Sequence, residues 1–575
     1  VFGAIPAGAP LFADVNNHQF SFEPNRDPSN DQESKDFSIK IDYDMDWATV
    51  TGWFLYSDIE QSFLADGTSG AFGFFFAEPS CISSTASLFG QGFQLPAPTA
   101  LGPTPGTSFF GPYTPTTCDG YQYQVRDQDD ISFEIRLSSK ADQRLRWQVG
   151  MYYLDLERTV GVAQLGDDGR ASLPESLVNP LTEALVHDEF NTEVWAGFAN
   201  AQFDVTDTLE LAVALRYDRE SREASSLVPS PTQQRSTFVD YTTAAIGACD
   251  DGAAGSPLNP AFITNLSSGG AACNFLSSIP DRDEVFDEFQ PKVSLRWDAS
   301  DDWTFFASWG RGFKSGGFNN LGSGATVDFF FNQNPTINAG LSISDLFEKE
   351  TSDAFEVGFK STLGGGRVSL EGAVFHTLVD DMQFFNFFVG PFGLLRVVSN
   401  IDEVTITGFE LAGSVNLTDQ LDIFGGISWL DGEIEKNRNR PYTEGNEIPY
   451  APEYTLNIGA QFVEPAAIMG ADLVIRGDYS VVGPTWFSTV QANQTNGLFT
   501  GAFGPNDFSL TERESYGIVN LRGGLEKGGW GVHLFVRNLL NEEYLEEVIP
   551  APEFGGSFIH PGNRRAWGGE LSYKF

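Results

Sequence analysis

The residues of this chain most able to engage a ligand are four phenylalanine-rich runs. They are Phe72-Gly73-Phe74-Phe75-Phe76, Phe109-Phe110, Phe329-Phe330-Phe331 and Phe384-Phe385-Asn386-Phe387-Phe388. Aromatic rings exposed in loops are costly unless they pack on one another or bind something. Two readings stay open. One is loop–loop packing in a folded cap. The other is an aromatic-lined vestibule for an apolar or aromatic ligand, lined by Phe74, Phe75, Phe330, Phe331, Phe385 and Phe387. Arg311, Lys314, Arg396 and Arg438 are the sparse cations near the same side. They would meet an anionic ligand, or pair with the abundant carboxylates.

Other chemistry is thin. Four cysteines fall in two pairs, Cys81 with Cys118 and Cys249 with Cys273, each inside one long link. Within-link disulfides are the simplest pairing and fit an oxidising compartment. A metal site would need histidines nearby, and neither link has one. His18, His187, His376, His533 and His560 are scattered without ligand spacing, so no metal is expected. No phosphate-binding loop, dinucleotide motif or nucleophile elbow is present, so neither a catalytic residue nor a cofactor is expected. Asp380-Asp381 reads as strand-end solvation.

These side chains must be positioned by β structure. The chain has 575 residues, 34 Lys+Arg against 78 Asp+Glu, and a formal charge of −44. That acidity argues against nucleic acid as a partner, since phosphates need a basic face. With 51 Phe, 16 Tyr and 11 Trp the chain is too aromatic for disorder. It has no run of about 18 apolar residues, the length a membrane helix needs. Apolar and polar residues alternate in segment after segment. In 37–45, Phe37, Ile39, Ile41, Tyr43 and Met45 interleave with Ser38, Lys40, Asp42 and Asp44. In 454–462, Tyr454, Leu456, Ile458, Ala460 and Phe462 do the same.

Seventeen strands are expected, near 36–45, 47–60, 129–140, 144–157, 190–205, 208–221, 287–299, 302–313, 350–363, 366–380, 404–418, 421–435, 453–464, 471–483, 515–526, 530–538 and 564–575. Their connections alternate between short turns, such as Thr206-Asp207, and long links, such as 222–286 and 381–403. Short turns at one rim and long loops at the other is the layout of an outer-membrane barrel. A soluble sandwich would mix loop lengths, and a propeller would show a fixed period. So many strands with a polar face cannot share one soluble core. An inverted barrel, apolar outside and polar inside, accommodates them. Trp47, Trp303, Trp309, Trp429, Tyr479 and Trp567 fit interfacial girdles. In the last strand Trp567, Gly569, Leu571, Tyr573 and Phe575 share one face. A terminal aromatic closing such a strand resembles the signal read by the barrel assembly machinery.

Three segments carry a family resemblance. The first is Phe306-Ala307-Ser308-Trp309-Gly310-Arg311-Gly312-Phe313-Lys314-Ser315-Gly316-Gly317-Phe318-Asn319. The second is Val536-Arg537-Asn538-Leu539-Leu540-Asn541-Glu542-Glu543-Tyr544. The third is Pro561-Gly562-Asn563-Arg564-Arg565, with Asn-Arg where the family often has Pro. In this order near the C-terminus they resemble the TonB-dependent outer-membrane receptors. The resemblance implies an all-β fold, a large antiparallel transmembrane barrel of the 22-stranded type with about seventeen strands present. Residues 36–575 would be barrel, and residues 1–35 an extracellular loop, with His18 to Glu23 as the tail of an incoming strand. Strand parity makes the first strand the sixth of 22, so the N-terminal plug and about five strands are expected to lie outside this chain. The implied function is active uptake of a scarce nutrient, a ferric siderophore before cobalamin, haem, a glycan or an aromatic compound. A passive porin and a secreted adhesive β protein are the rival classes. The implied partners are outer-membrane lipid, lipopolysaccharide, the barrel assembly machinery, a siderophore-like ligand, and TonB through the plug. The implied location is the outer membrane of a Gram-negative bacterium.

Overall fold

A computed structural model of the chain describes residues 14–17, 28–66, 121–165, 184–227, 280–333, 335, 337–390, 393–491, 507–551 and 556–574. Alternating sequence becomes strand wherever it was expected. The wall begins with β1 (Ser29–Asp44), β2 (Ala48–Asp66), β3 (Tyr121–Ser139), β4 (Leu145–Leu165), β5 (Ala184–Thr206), β6 (Leu209–Ser226), β7 (Arg282–Ser300) and β8 (Trp303–Lys314). After a short pair, β9 (Gly317–Phe318) and β10 (Leu346–Phe347), it resumes. It continues as β11 (Glu350–Leu363), β12 (Val368–Gly390), β13 (Gly393–Asn416), β14 (Leu421–Lys436), β15 (Tyr454–Ile468), β16 (Ala471–Val482), β17 (Tyr516–Lys527) and β18 (Trp530–Arg537). A second small hairpin, β19 (Leu545–Ala551) and β20 (Gly556–Pro561), precedes the last wall strand, β21 (Ala566–Tyr573).

The wall is one 17-stranded antiparallel sheet. Each wall strand pairs with the wall strands before and after it, from the β1–β2 ladder to the β18–β21 ladder. The short turns lie where expected. Between β11 and β12 the turn needs three consecutive left-handed residues, which glycine supplies without strain at Gly364 (φ 63°), Gly365 (66°) and Gly366 (92°).

Several strands run further than their alternation suggested, mostly at the long-link end; β15 instead runs on to Ile468 at its short-turn end. The largest correction is 381–403, expected as a link. Instead β12 and β13 stay paired out to Gly390 opposite Gly393. Asp381, at φ 55°, interrupts the pleat, and the period-2 pattern changes phase there although the strand continues. β1 likewise starts at Ser29, seven residues before the expected Asp36, through a fully polar stretch.

The two faces have opposite chemistry. Ile131, Phe133 and Ile135 of β3, Val213, Leu215 and Tyr217 of β6, and Val293, Leu295 and Trp297 of β7 all stand exposed on one side. Leaving one such side chain in water forgoes roughly 1.5–3 kcal/mol, so this surface belongs in hydrocarbon. The other side holds charge in pairs. Arg146 meets Asp204 at 2.7 Å and Glu210 at 2.5 Å, and Arg216 meets Asp218 at 2.6 Å. Aromatic pairs mark the short-turn rim: Trp47 with Trp147 at 6.4 Å, Trp303 with Phe305 at 5.9 Å, and Trp530 with Tyr573 at 4.6 Å. No described helix is long and apolar enough to cross a membrane, which says nothing of crossing by strands.

Candidate functional site

The long-link end is folded into a cap, and the motif after β8 shows how. At Gly316 a Cβ would collide with the Phe286 ring and stand 2.6 Å from the Phe347 carbonyl; at Gly317 it would stand 2.9 Å from the Phe347 ring. Glycine lets the chain thread this gap. Asn319 then acts as a substitute strand. Its Nδ2 donates to the Val398 carbonyl (2.8 Å) and the Ser344 carbonyl (3.0 Å), and its Oδ1 accepts from the Val398 N–H (2.7 Å). Val398 lies beyond the end of the β13–β14 ladder, which stops at Glu403 opposite Lys436. One carboxamide thus satisfies backbone groups that no neighbouring strand reaches.

Two residues on, the same link is tied to β5. Asp188 accepts from the Leu321 N–H (3.0 Å) and from Asn320 Nδ2 (3.1 Å), while Leu321 packs with Phe190 and Ala224. Asp345 accepts from the N–H groups of Gly322 (3.0 Å) and Gly324 (2.9 Å). Asp188 stands far up β5 from the short turn after Thr206. At a tilt of about 45° and ~3.3 Å per residue that is roughly 40 Å, outside an apolar band of about 25 Å. Burial pushes its carboxyl up to about 7, against the hydrogen bonds from Asn320 and Leu321.

The phenylalanine runs divide between the two readings. Phe331, 2% exposed, packs 5.3 Å from Phe388 in a core with Val327, Ile337, Leu341, Leu395 and Val397. Phe331 therefore serves cap packing. Phe385 and Phe387 are half-buried on the opposite face of the β12–β13 hairpin. Phe385 stacks on Phe384 at 5.1 Å, meets Phe387 edge-on at 5.3 Å and Tyr450 at 5.4 Å. Arg396 lies 4.2 Å over the Phe385 ring. Burial, and then the field of Arg126 on β3, hold the Arg396 guanidinium below its usual range. Tyr450 continues the series to Phe487 at 5.1 Å and donates to Glu547 at 2.5 Å. Burial, then Glu547, raise its phenol. Arg513, buried, lies 5.5 Å over Phe487 and 4.9 Å over Tyr516, and donates to Thr485 Oγ1 and the carbonyls of Gly483 (3.0 Å) and Leu545 (3.4 Å).

The other cations behave differently. Arg311 pairs with Glu288 at 3.4 Å, and Arg438 pairs with Asp402. Lys314 is exposed at the end of β8, with no ion pair among the described residues. Arg396 and Arg513 also have no carboxylate within ion-pair distance among the described residues. Phe74, Phe75 and all four cysteines lie outside the described residues, as does the side chain of Phe330. So does Phe575, while Trp567, Leu571 and Tyr573 are exposed on one face of β21. Among the described residues no group of three or more His, Cys, Asp or Glu could hold a metal ion.

The C-terminal motifs also resolve into contacts. Asn538, at φ 49°, donates Nδ2 to the carbonyls of Glu542 (2.9 Å) and Asn563 (3.0 Å), and its Oδ1 accepts from the Glu542 N–H (2.7 Å). Tyr544 stacks on Tyr516 at 4.2 Å and covers Gly562, where any Cβ would strike its ring. The second and third motifs are thus two halves of one lock. Sequence reasoning missed Tyr450, Phe487, Arg513, Glu547 and Asp188. None stands in a motif, and their roles arise from contacts between distant links.

Comparison with known proteins agrees with this architecture. A model of the TonB dependent receptor-like, beta-barrel family matches residues 3–539. A protein of Acinetobacter baumannii named a probable TonB-dependent siderophore receptor, PiuA, is 28% identical over 149 residues, 24% of this chain and 19% of that protein. A protein of Bordetella pertussis named a probable TonB-dependent receptor, BfrD, is 26% identical over 139 residues, 23% of this chain and 17% of its own length. The crystal structure of the ferric yersiniabactin uptake receptor FyuA from Yersinia pestis superposes with a TM-score of 0.61 at 14% identity, covering 96% of this chain and 62% of FyuA. The chain thus spans about a fifth of the curated relatives it matches and less than two thirds of the solved receptor. The lipid-facing wall, the polar inner face, the two locked motifs and the family match together show that this chain belongs to the β-barrel of the TonB-dependent receptors, proteins of the Gram-negative outer membrane.

Proposed function

We propose that the protein is an outer-membrane receptor for TonB-dependent active uptake of a scarce nutrient, with a ferric siderophore as its ligand. One observation carries the ligand reading. In a chain with a formal charge of −44, Arg396 lies over Phe385 with no carboxylate within ion-pair distance among the described residues. Holding a cation that way favours an incoming anion with aromatic character, as an aryl-bearing iron chelate has. Phe385, Phe387 and Tyr450 supply ring faces beside it. The names of PiuA and FyuA support the same class.

The folded cap speaks against a passive porin. The link after β8 is pinned to β5 and to β13, strands six ladder steps apart, and so lies over the mouth. The reading is of a transporter and not of an enzyme. It assigns the outward wall to outer-membrane lipid and lipopolysaccharide, and Trp567, Leu571 and Tyr573 to recognition by the barrel assembly machinery. A plug would carry the contact with TonB; the described residues hold neither, so energy coupling belongs to the proposal.

Binding decides the matter. Purified protein in detergent is titrated with ferric catecholate, ferric hydroxamate, haem and cobalamin, following quenching of tryptophan fluorescence. A ferric chelate should bind, and Arg396→Glu should weaken it by tenfold or more, about 1.4 kcal/mol. Binding of haem or cobalamin with no ferric chelate bound would overturn the siderophore reading.

A further inference from the structure

The lipid-facing wall carries large apolar side chains interspersed with single glycines such as Gly52 and Gly197, and across β12 to β15 two such glycines come together. Register puts Leu370 of β12, Gly413 of β13, Gly425 of β14 and Ile458 of β15 in one cross-strand row. Two glycines therefore stand side by side, and the backbone lies bare between them. Leu370 and Ile458 close the row at its ends, and Leu411 and Ile427 stand one row above. The result is a depression of about 490 Å³ with an almost wholly apolar lining. Ile458 is 51% exposed and Leu411 44%, so the depression opens to the lipid side. A Cβ on Gly413 would stand 2.7 Å from Leu370, and one on Gly425 2.8 Å from the Asn457 carbonyl. Glycine at both positions keeps the floor of the depression at backbone level, with Leu370 leaning over its edge.

Its height and its mouth identify what approaches. Gly413 and Gly425 lie three and four residues from the short turn between β13 and β14. That is roughly 10 Å above the periplasmic rim, within the inner leaflet's acyl region. At the rim below stands Arg367, exposed, in the turn before Val368. Its carbonyl accepts from the Asn416 N–H at 2.9 Å, which fixes it at the foot of β12 and β13. Arg367 has no ion pair among the described residues. Asp419, exposed, is in the next turn. An apolar slot above a cation and a carboxylate at the rim matches an acyl chain, a phosphate and an amine.

We propose that this depression is a phospholipid site: one acyl chain of a periplasmic-leaflet lipid lies on Gly413 and Gly425, its phosphate rests on Arg367, and an ethanolamine head reaches Asp419. The site is separate from the cap and does not depend on which ligand the cap binds.

The test is native mass spectrometry of the full chain in detergent, titrated with phosphatidylethanolamine. Wild type should retain one lipid more firmly than the rest. Ile427→Trp lays a ring over the slot without touching the backbone and should abolish that retained lipid. Arg367→Glu should weaken it about fivefold, the scale of one basic residue at a phospholipid surface. Val213→Trp, on the same face of distant β6, should retain it. Equal retention in all four proteins, or loss in Val213→Trp as well, overturns the proposal. So does a dimer that Ile427→Trp dissolves, which would assign the slot to a second copy of the chain.

Discussion

The wall and the cap are built from the same residue types by opposite rules. In the wall each side chain has its environment set by strand parity. Phe133 and Phe305 face outward and stay exposed because the solvent there is hydrocarbon. In the cap, Phe331 and Phe388 are buried at 2% and 1% because links far apart in the chain close over them. A wall contact stays on one strand or crosses to the next in the sheet: Arg216 meets Asp218 two residues away, and Arg146 of β4 meets Asp204 of β5. A cap contact joins strangers: Asn320 reaches Asp188 across 132 residues, and Tyr450 reaches Glu547 across 97. Wall and cap should therefore fail separately, and the largest expected effects lie in the wall.

Val293 is exposed near the middle of β7, paired with Val213 and Trp309. Val293→Arg would place a charge near the bilayer midplane at about 2–4 kcal/mol. The loss should appear as a lower urea midpoint for the whole barrel in folding assays into liposomes. An unchanged midpoint would mean that this face is not in lipid.

Asn319→Ala tests the cap in the opposite sense. It strands the Val398 N–H and the carbonyls of Val398 and Ser344. Unpaired groups in a half-buried site cost roughly 1–3 kcal/mol each, reduced where water enters, so about 2–3 kcal/mol is expected. The link over 317–347 should become sensitive to protease, while the heat-dependent gel shift of the barrel stays unchanged. Loss of both together would show that the cap is not separable from the wall.

This contrast also explains what could be read in advance. All seventeen wall strands were legible because period 2 is a local signal repeated in every strand. The signal failed where its cause failed. At Asp381 a left-handed residue changes the phase of the pleat, so the extension of β12 and β13 read as a link. Beyond the bilayer no face needs to be apolar, so Ser29–Lys35 showed no alternation although it is strand. In the site the motif residues Gly316, Gly317 and Asn319 could be flagged, but not what they touch. Pairing of Arg311 with a carboxylate was foreseen, but not that the partner would be Glu288, and Tyr450 carried no signal at all. Arg396 and Phe385 were legible as types. Their cation–π contact at 4.2 Å depends on the hairpin that alternation did not show.

The smallest expected effect comes from pH and acts on the cap alone. Asp188 is buried, with its carboxyl pushed up to about 7, above the roughly 3.9 of an unfolded aspartate. A carboxyl whose folded value is raised favours the folded cap fully at low pH, below its unfolded value. That contribution is lost as pH rises through about 7, because the buried group must then ionise. Asp345, the next carboxylate in its field, works in the same direction. The anchor on Asn320 and Leu321 should therefore loosen progressively from about pH 4 and level off above about pH 7, by about 1–2 kcal/mol after allowing for relaxation around the site. Amide exchange at Leu321, corrected for the intrinsic pH dependence, reads this directly. Protection should fall across that window in the wild type. In Asp188→Asn the carboxamide oxygen still accepts from Leu321 but cannot ionise, so protection should be flat. Amides in the ladder of β6 with β7 should show no such step in either protein. A step in the ladder as well would mean that the pH response belongs to the wall, and that the two regions are coupled through β5.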